Sequence, residues 1–135
     1  MSDNLNLLTK SIERNPGISL KKIQEIECEL GVSFPHQYKD WLTLSNGAEG
    51  FIGKNEYLVL WPVEKLKTFN AGYAVEEFAP GLLLFGSNGG TTAYAFDSRV
   101  DDMPIVKVPF IGMSLEEMVV IGRTFNEFMH FLYDR

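Results

Sequence analysis

The chain reads as an α+β domain, a central antiparallel sheet flanked by N-terminal helices and a C-terminal helix. Three observations lead to this class. Apolar residues recur at helical spacing through the first third of the chain. Strand-like runs with turn residues between them then occupy the middle, and helical spacing returns after Thr124. The gaps between those runs are short, whereas a parallel crossover takes about a dozen residues or more, so the strands are expected to pair antiparallel.

The first helical stretch, Asn4 to Arg14, carries Leu5, Leu8 and Ile12 on one stripe and stops at Asn15-Pro16-Gly17. Ser19 offers an N-cap to a second helix with Leu20, Ile23, Ile26 and Leu30 at helical spacing, and Gly31 suits the left-handed end. Pro35 fits the first position of a third helix, where its missing N–H costs nothing. Tyr38, Trp41 and Leu42 supply the buried stripe, and Asn46-Gly47 ends it. Glu56–Trp61 is rich in strand formers and is closed by Pro62. Val63 to Asn70 reads as a short helix ahead of a loop.

The second half supplies Leu82–Phe85, then Gly86-Ser87-Asn88-Gly89-Gly90, then the strand Thr91–Phe96. Arg99 to Asp102 are turn residues before the strand Ile105–Val108. Ser114 with Glu117 has the form of a capping box, yet Met118–Ile121 fits a strand equally well. Thr124 with Glu127 makes the same box ahead of Phe125, Phe128, Met129 and Leu132, a C-terminal amphipathic helix.

A length of 135 residues fits one domain spanning residues 1–135. The chain is 45% hydrophobic and 22% charged, enough apolar material for a core and far from the profile of disorder. The single cysteine, Cys28, excludes an intramolecular disulfide and a cysteine-built metal cage. The N-terminus MSDNLNLL lacks the pattern of a secretory signal, and the apolar runs are too short to cross a bilayer. A soluble, cytoplasmic protein is the expectation. The formal charge of −6 opposes binding to nucleic acid or anionic membranes and favours a basic protein partner.

Several motifs in order resemble the SUKH superfamily, which takes in fungal cell-wall assembly regulators of the Smi/Knr type and many bacterial immunity proteins. They are Leu30-Gly31-Val32-Ser33-Phe34-Pro35 with Tyr38 and Trp41-Leu42, and Ser45-Asn46-Gly47. Next come Leu84-Phe85-Gly86-Ser87-Asn88-Gly89-Gly90 with Tyr94-Ala95-Phe96-Asp97. The last is Ile121-Gly122-Arg123-Thr124-Phe125-Asn126-Glu127-Phe128 before Leu132. The resemblance covers about residues 19–133. It implies a central antiparallel sheet with flanking helices and no shared catalytic residues. It also implies an immunity protein that binds and neutralises a cognate toxin, often a nuclease. The alternative it allows is a regulatory scaffold binding an endogenous cytoplasmic protein.

No catalytic cluster can be assembled from the residues themselves. The Gly86–Gly90 loop lacks GxxxxGK[ST] and GxGxxG and precedes a strand, so it reads as a turn and not a phosphate cradle. His36 and His130 have no second ligand at metal spacing, and no cofactor is expected. Cys28, off its helix's apolar stripe, and Ser87, outside a GxSxG elbow, read as structural. The acidic residues do cluster, at Glu25, Glu27 and Glu29 and in the pairs Glu76-Glu77, Asp101-Asp102 and Glu116-Glu117. Glu76-Glu77, flanked by Tyr73 and Phe78 in a loop, best matches the aromatic anchor and charged rim of an interface. Trp61 at a strand end has a similar claim set against a core role. The residues assigned to partner binding are therefore Tyr73, Glu76, Glu77, Phe78, Trp61, Asp101 and Asp102.

Overall fold

The computed structural model describes residues 2–135, with side chains from Leu5 onward. The helices are α1 Ser2–Leu8, α2 Leu20–Leu30, α3 His36–Leu44, α4 Leu66–Gly72, α5 Val75–Phe78 and α6 Phe125–Tyr133. The strands are β1 Ile12–Arg14, β2 Ala48–Ile52, β3 Glu56–Leu60, β4 Leu82–Ser87, β5 Thr92–Asp97, β6 Ile105–Pro109 and β7 Val119–Gly122. They form one sheet in chain order, every neighbouring pair antiparallel. This is the α+β arrangement expected from the sequence.

Side chains opposite each other across an antiparallel pair share a face. The register therefore puts Ile12, Ile52, Leu58, Leu60, Tyr94, Phe96 and Ile105 on one face, all buried. That inner face packs on α3 and α6 through aromatic rings. Tyr38 meets Phe96 at 5.0 Å between centroids, Phe128 meets Tyr94 at 5.0 Å, and Phe85 meets Phe96 at 4.4 Å. On the outer face Ala93, Ala95, Val106 and Val108 are also buried. Here α4 and α5 lie against β4, and a 3-10 turn at Leu115–Glu117 lies against β6. Burial on both faces is why β4 and β5 read as unbroken apolar runs.

The caps of α2 and α6 are those the sequence predicts. Ser19 Oγ accepts from Lys22 N at 3.2 Å, and Gly31 takes φ 69°. Thr124 Oγ1 accepts from Glu127 N at 3.1 Å, while the Glu127 carboxylate accepts from Arg123 N at 3.0 Å, one residue before the expected partner. Pro35 sits just before α3 rather than inside it, and its carbonyl accepts from Lys39 N. The turn into β5 is shorter than expected: Gly86 and Ser87 end β4, paired with Tyr94 and Ala93, and the turn begins at Asn88, whose Oδ1 accepts from Gly90 N and Thr92 N.

Three elements differ from the sequence expectation, and one open choice is settled. The first helix ends at Leu8, and Ile12–Arg14 is a strand whose alternation, Ile12 in and Glu13 out, resembles a continuing helical stripe over so few residues. β2 escapes notice because its Ala-Glu-Gly-Phe-Ile sequence holds few strand formers, and pairing to β3 makes it. Tyr73 to Phe78 is not a plain loop: Tyr73 caps α4 and Val75–Phe78 forms the single turn α5. Residues Val119–Gly122 resolve the open choice at 118–121 as a strand.

Candidate partner-binding surfaces

The structure separates the acidic and aromatic residues singled out in the sequence into two places. The first is the outer face of the sheet beside α4 and α5. Tyr57, Val59 and Trp61 point the same way along β3 and just beyond it, since alternate residues of a strand share a face. Trp61 still belongs to the sheet, its N–H donating to Phe85 O at 3.0 Å. Its ring stacks on Tyr73 at 6.2 Å with planes 12° apart and meets Phe69 edge-on at 4.9 Å. Tyr73 in turn rests on Phe110 at 4.7 Å.

Trp61 is buried and supports this stack, while Tyr73 and Phe78 are exposed. Glu76 and Glu77 are exposed on α5, whose start is fixed by buried Val75 and by Ala74 in the left-handed conformation at φ 55°. Glu76 also lines a groove of about 540 Å³ with Glu29, Leu30, Val32 and Lys67.

At the other end of the same face the structure adds residues that sequence reasoning missed. Phe51 and Tyr57 face each other across β2–β3, edge to face at 5.0 Å, and Phe51 is exposed. Tyr57 Oη donates to Glu49 Oε2 at 2.7 Å, and Glu13 lies opposite Glu49 on β1. The hydrogen bond to a carboxylate and the negative charge of Glu49 raise the Tyr57 phenol above its ordinary pKa. An aromatic stripe thus runs from Phe51 through Tyr57, Val59 and Trp61 to Tyr73 and Phe110, with the carboxylates of Glu13 and Glu49 at its Phe51 end. The available signal was the alternation of Tyr57, Val59 and Trp61, which has an outer face only once β2 is recognised.

Asp101 and Asp102 lie elsewhere. They line a groove of about 570 Å³ with Ser33–Gln37 and Arg123–Phe125, where α3 and α6 begin. The β5–β6 turn carrying them is held by Asp97, whose buried carboxylate accepts from Arg99 Nε at 2.9 Å and Nη2 at 3.0 Å. These bonds hold the Asp97 pKa below its ordinary value.

Of the remaining candidates, Glu27 leaves the acidic cluster. It accepts from Phe34 N at 2.7 Å and pairs with Lys39 at 3.6 Å, pinning the turn between α2 and α3. Cys28 is exposed, and His36 lies 3.9 Å from Asp40. Among the described residues, no three or more His, Cys, Asp or Glu side chains gather as a metal site, and no helix is long and apolar enough to cross a membrane.

This sheet and helix order carries a recognisable sequence pattern. Residues 17–130 match the model of the SMI1 / KNR4 family (SUKH-1). The chain belongs to the SUKH-1 family. A stretch of 81 residues is also 35% identical to the uncharacterized protein YnaB of Bacillus subtilis (strain 168), covering 60% of this chain and 46% of that protein. The match thus spans about half the length of that curated relative. SUKH domains are generally non-catalytic immunity or regulatory domains and typically bind protein partners. The family motifs now have structural reasons. Within Ser45-Asn46-Gly47, Asn46 accepts from Val63 N at 2.8 Å and donates to Glu64 at 2.6 Å, while its own N–H reaches Pro16 O at 3.0 Å. It ties β1, α3 and the end of β3 together.

Proposed function

We propose that this SUKH-1 domain is an immunity protein that binds and neutralises a basic protein toxin inside the producing cell. The observation that carries the reading is the aromatic stripe of the outer sheet face, rimmed by Glu13 and Glu49 at its Phe51 end, with exposed Glu76 and Glu77 following Tyr73 on α5. Rigid aromatic side chains beside charged rims concentrate binding energy in protein interfaces. The net charge of −6 steers a basic partner toward it. Tyr73 and Phe78 are the proposed anchors, Glu76 and Glu77 the specifying charges, and Trp61 the support beneath Tyr73. Asp101 and Asp102 contribute to long-range steering only.

The test begins with recovery of the partner on the tagged chain from producing cells, followed by co-expression of the two proteins. Toxicity of the partner alone, relieved by this chain, is the expected result. Tyr73→Ala should weaken the complex about thirtyfold, as an anchor costing about 2 kcal/mol does. A partner that is harmless when expressed alone would sink the immunity reading and leave the regulatory scaffold.

A further inference from the structure

The two edges of the sheet are treated differently. β1 is three residues long, carries the charges Glu13 and Arg14, and runs into Asn15-Pro16. Short length, charge and proline are the ordinary means of discouraging pairing at a sheet edge. Inside the sheet a buried gap arises where Pro62 turns the chain away from β4, and Asn70 closes it. Its carboxamide donates to Leu84 O at 3.0 Å and accepts from Leu84 N at 2.8 Å.

β7 has no such protection. Its sequence is Val-Val-Ile-Gly, without a charge or proline. Val119 is 51% and Val120 55% exposed, although both belong to a strand. Apart from the ladder to β6, residues 119–122 make no backbone hydrogen bond among the described residues. α6 packs against the Gly122 end of β7, where an added Cβ would lie 2.7 Å from Phe128 N, and leaves Val119 and Val120 uncovered. It ends at the β2–β3 hairpin, where Asn55 donates to Arg135 O at 2.8 Å.

We propose that β7 is a self-association edge, pairing antiparallel with β7 of a second copy to continue the sheet across a twofold axis. The charges on the chain favour this occupant. A twofold antiparallel pairing centred on Val120 places Glu117 of each copy opposite Arg123 of the other, with Glu116 alongside, so opposite charges meet twice. Arg123 forms no ion pair within the chain among the described residues. Four residues of strand bury less surface than a permanent dimer does, so the association is weak and concentration-dependent.

Sedimentation equilibrium of the full chain, from micromolar to near-millimolar concentration, reads the result. Wild type should shift from monomer to dimer, and Val119→Lys/Val120→Lys should weaken dimerisation at least tenfold with thermal stability retained. The decisive arm mixes two variants. Glu116→Arg/Glu117→Arg alone and Arg123→Glu alone place like charges opposite each other and should stay monomeric. Their equimolar mixture restores both opposite-charge contacts and should dimerise as wild type does. Misfolding cannot produce that recovery. A wild type that stays monomeric throughout, or a mixture that fails to associate while wild type dimerises, overturns the proposal. Should monomeric wild type lose its recovered protein partner on Val119→Lys/Val120→Lys, a partner strand and not a second copy occupies the edge.

Discussion

Asp97 is nearly sealed from solvent, yet it stays charged because Arg99 brings two guanidinium N–H groups and a backbone N–H to it. Its pKa is held below the ordinary carboxylate value, first by the Arg99 side-chain bonds. A depressed acid contributes stability above its unfolded pKa, about 3.9, and loses it as pH falls through the folded value. Asp97→Asn should therefore cost about 2 kcal/mol at neutral pH. Urea midpoints of the two proteins should begin to draw together only below about pH 4 and converge as pH falls through the lowered folded value. Tyr38 poses the opposite case. Its hydroxyl is buried without a hydrogen-bond partner among the described residues, and burial raises its pKa. The neutral phenol is favoured in the fold, so stability is full below about pH 10 and falls above it. Tyr38→Phe should leave the neutral-pH melting temperature unchanged or higher, because an unpaired buried hydroxyl is removed. The same change should lessen the alkaline loss when melting is followed near pH 11.

At the scale of elements, the ends and edges set the cost of change. Ser19 and Thr124 each satisfy a free helix N–H. Replacing either with Ala should lower unfolding free energy by about 1 kcal/mol, read by urea denaturation. Asn70 carries more. Besides Leu84 it donates to Leu66 O at 2.7 Å, so α4 is joined to a buried strand edge by one side chain. Asn70→Ala should cost about 2 kcal/mol, since Leu84's backbone groups then lie buried and unpaired. Hydrogen exchange at the Leu84 amide should accelerate before the rest of the sheet. Tyr73 and α5 depend on that anchorage, so Asn70 links the fold to the proposed surface.

For the whole molecule, charge and topology act together. The sheet meanders in chain order, and α4, α5 and the 115–117 turn cover only the β4–β6 half of its outer face. The β1–β3 half is left to water, with Phe51, Tyr57, Glu13 and Glu49 on it. If this face meets a basic partner, salt should slow association more than it speeds dissociation. Glu76→Lys/Glu77→Lys should lower the on-rate about tenfold in stopped-flow mixing at low salt, while Asp101→Asn/Asp102→Asn should change it less than about twofold. An on-rate indifferent to salt would remove electrostatics from the account.

The sequence by itself determined the fold class, the caps of α2 and α6, the apolar stripe of α3, the turn at Asn88–Gly90 and the family motifs. Each is written in local periodicity or in turn and cap chemistry, which act over a few residues. Tertiary structure alone decided that Ile12–Arg14 and Ala48–Ile52 are strands, because their partners, not their own propensities, make them so. It also decided that Trp61 is buried beneath Tyr73, and that Asp101-Asp102 lie on a different groove from Glu76. Surfaces join residues distant in the chain, so the partnership of Phe51, Tyr57, Trp61, Tyr73 and Phe110 had no local trace. It exists only because pairing between strands fixes which side chains share a face.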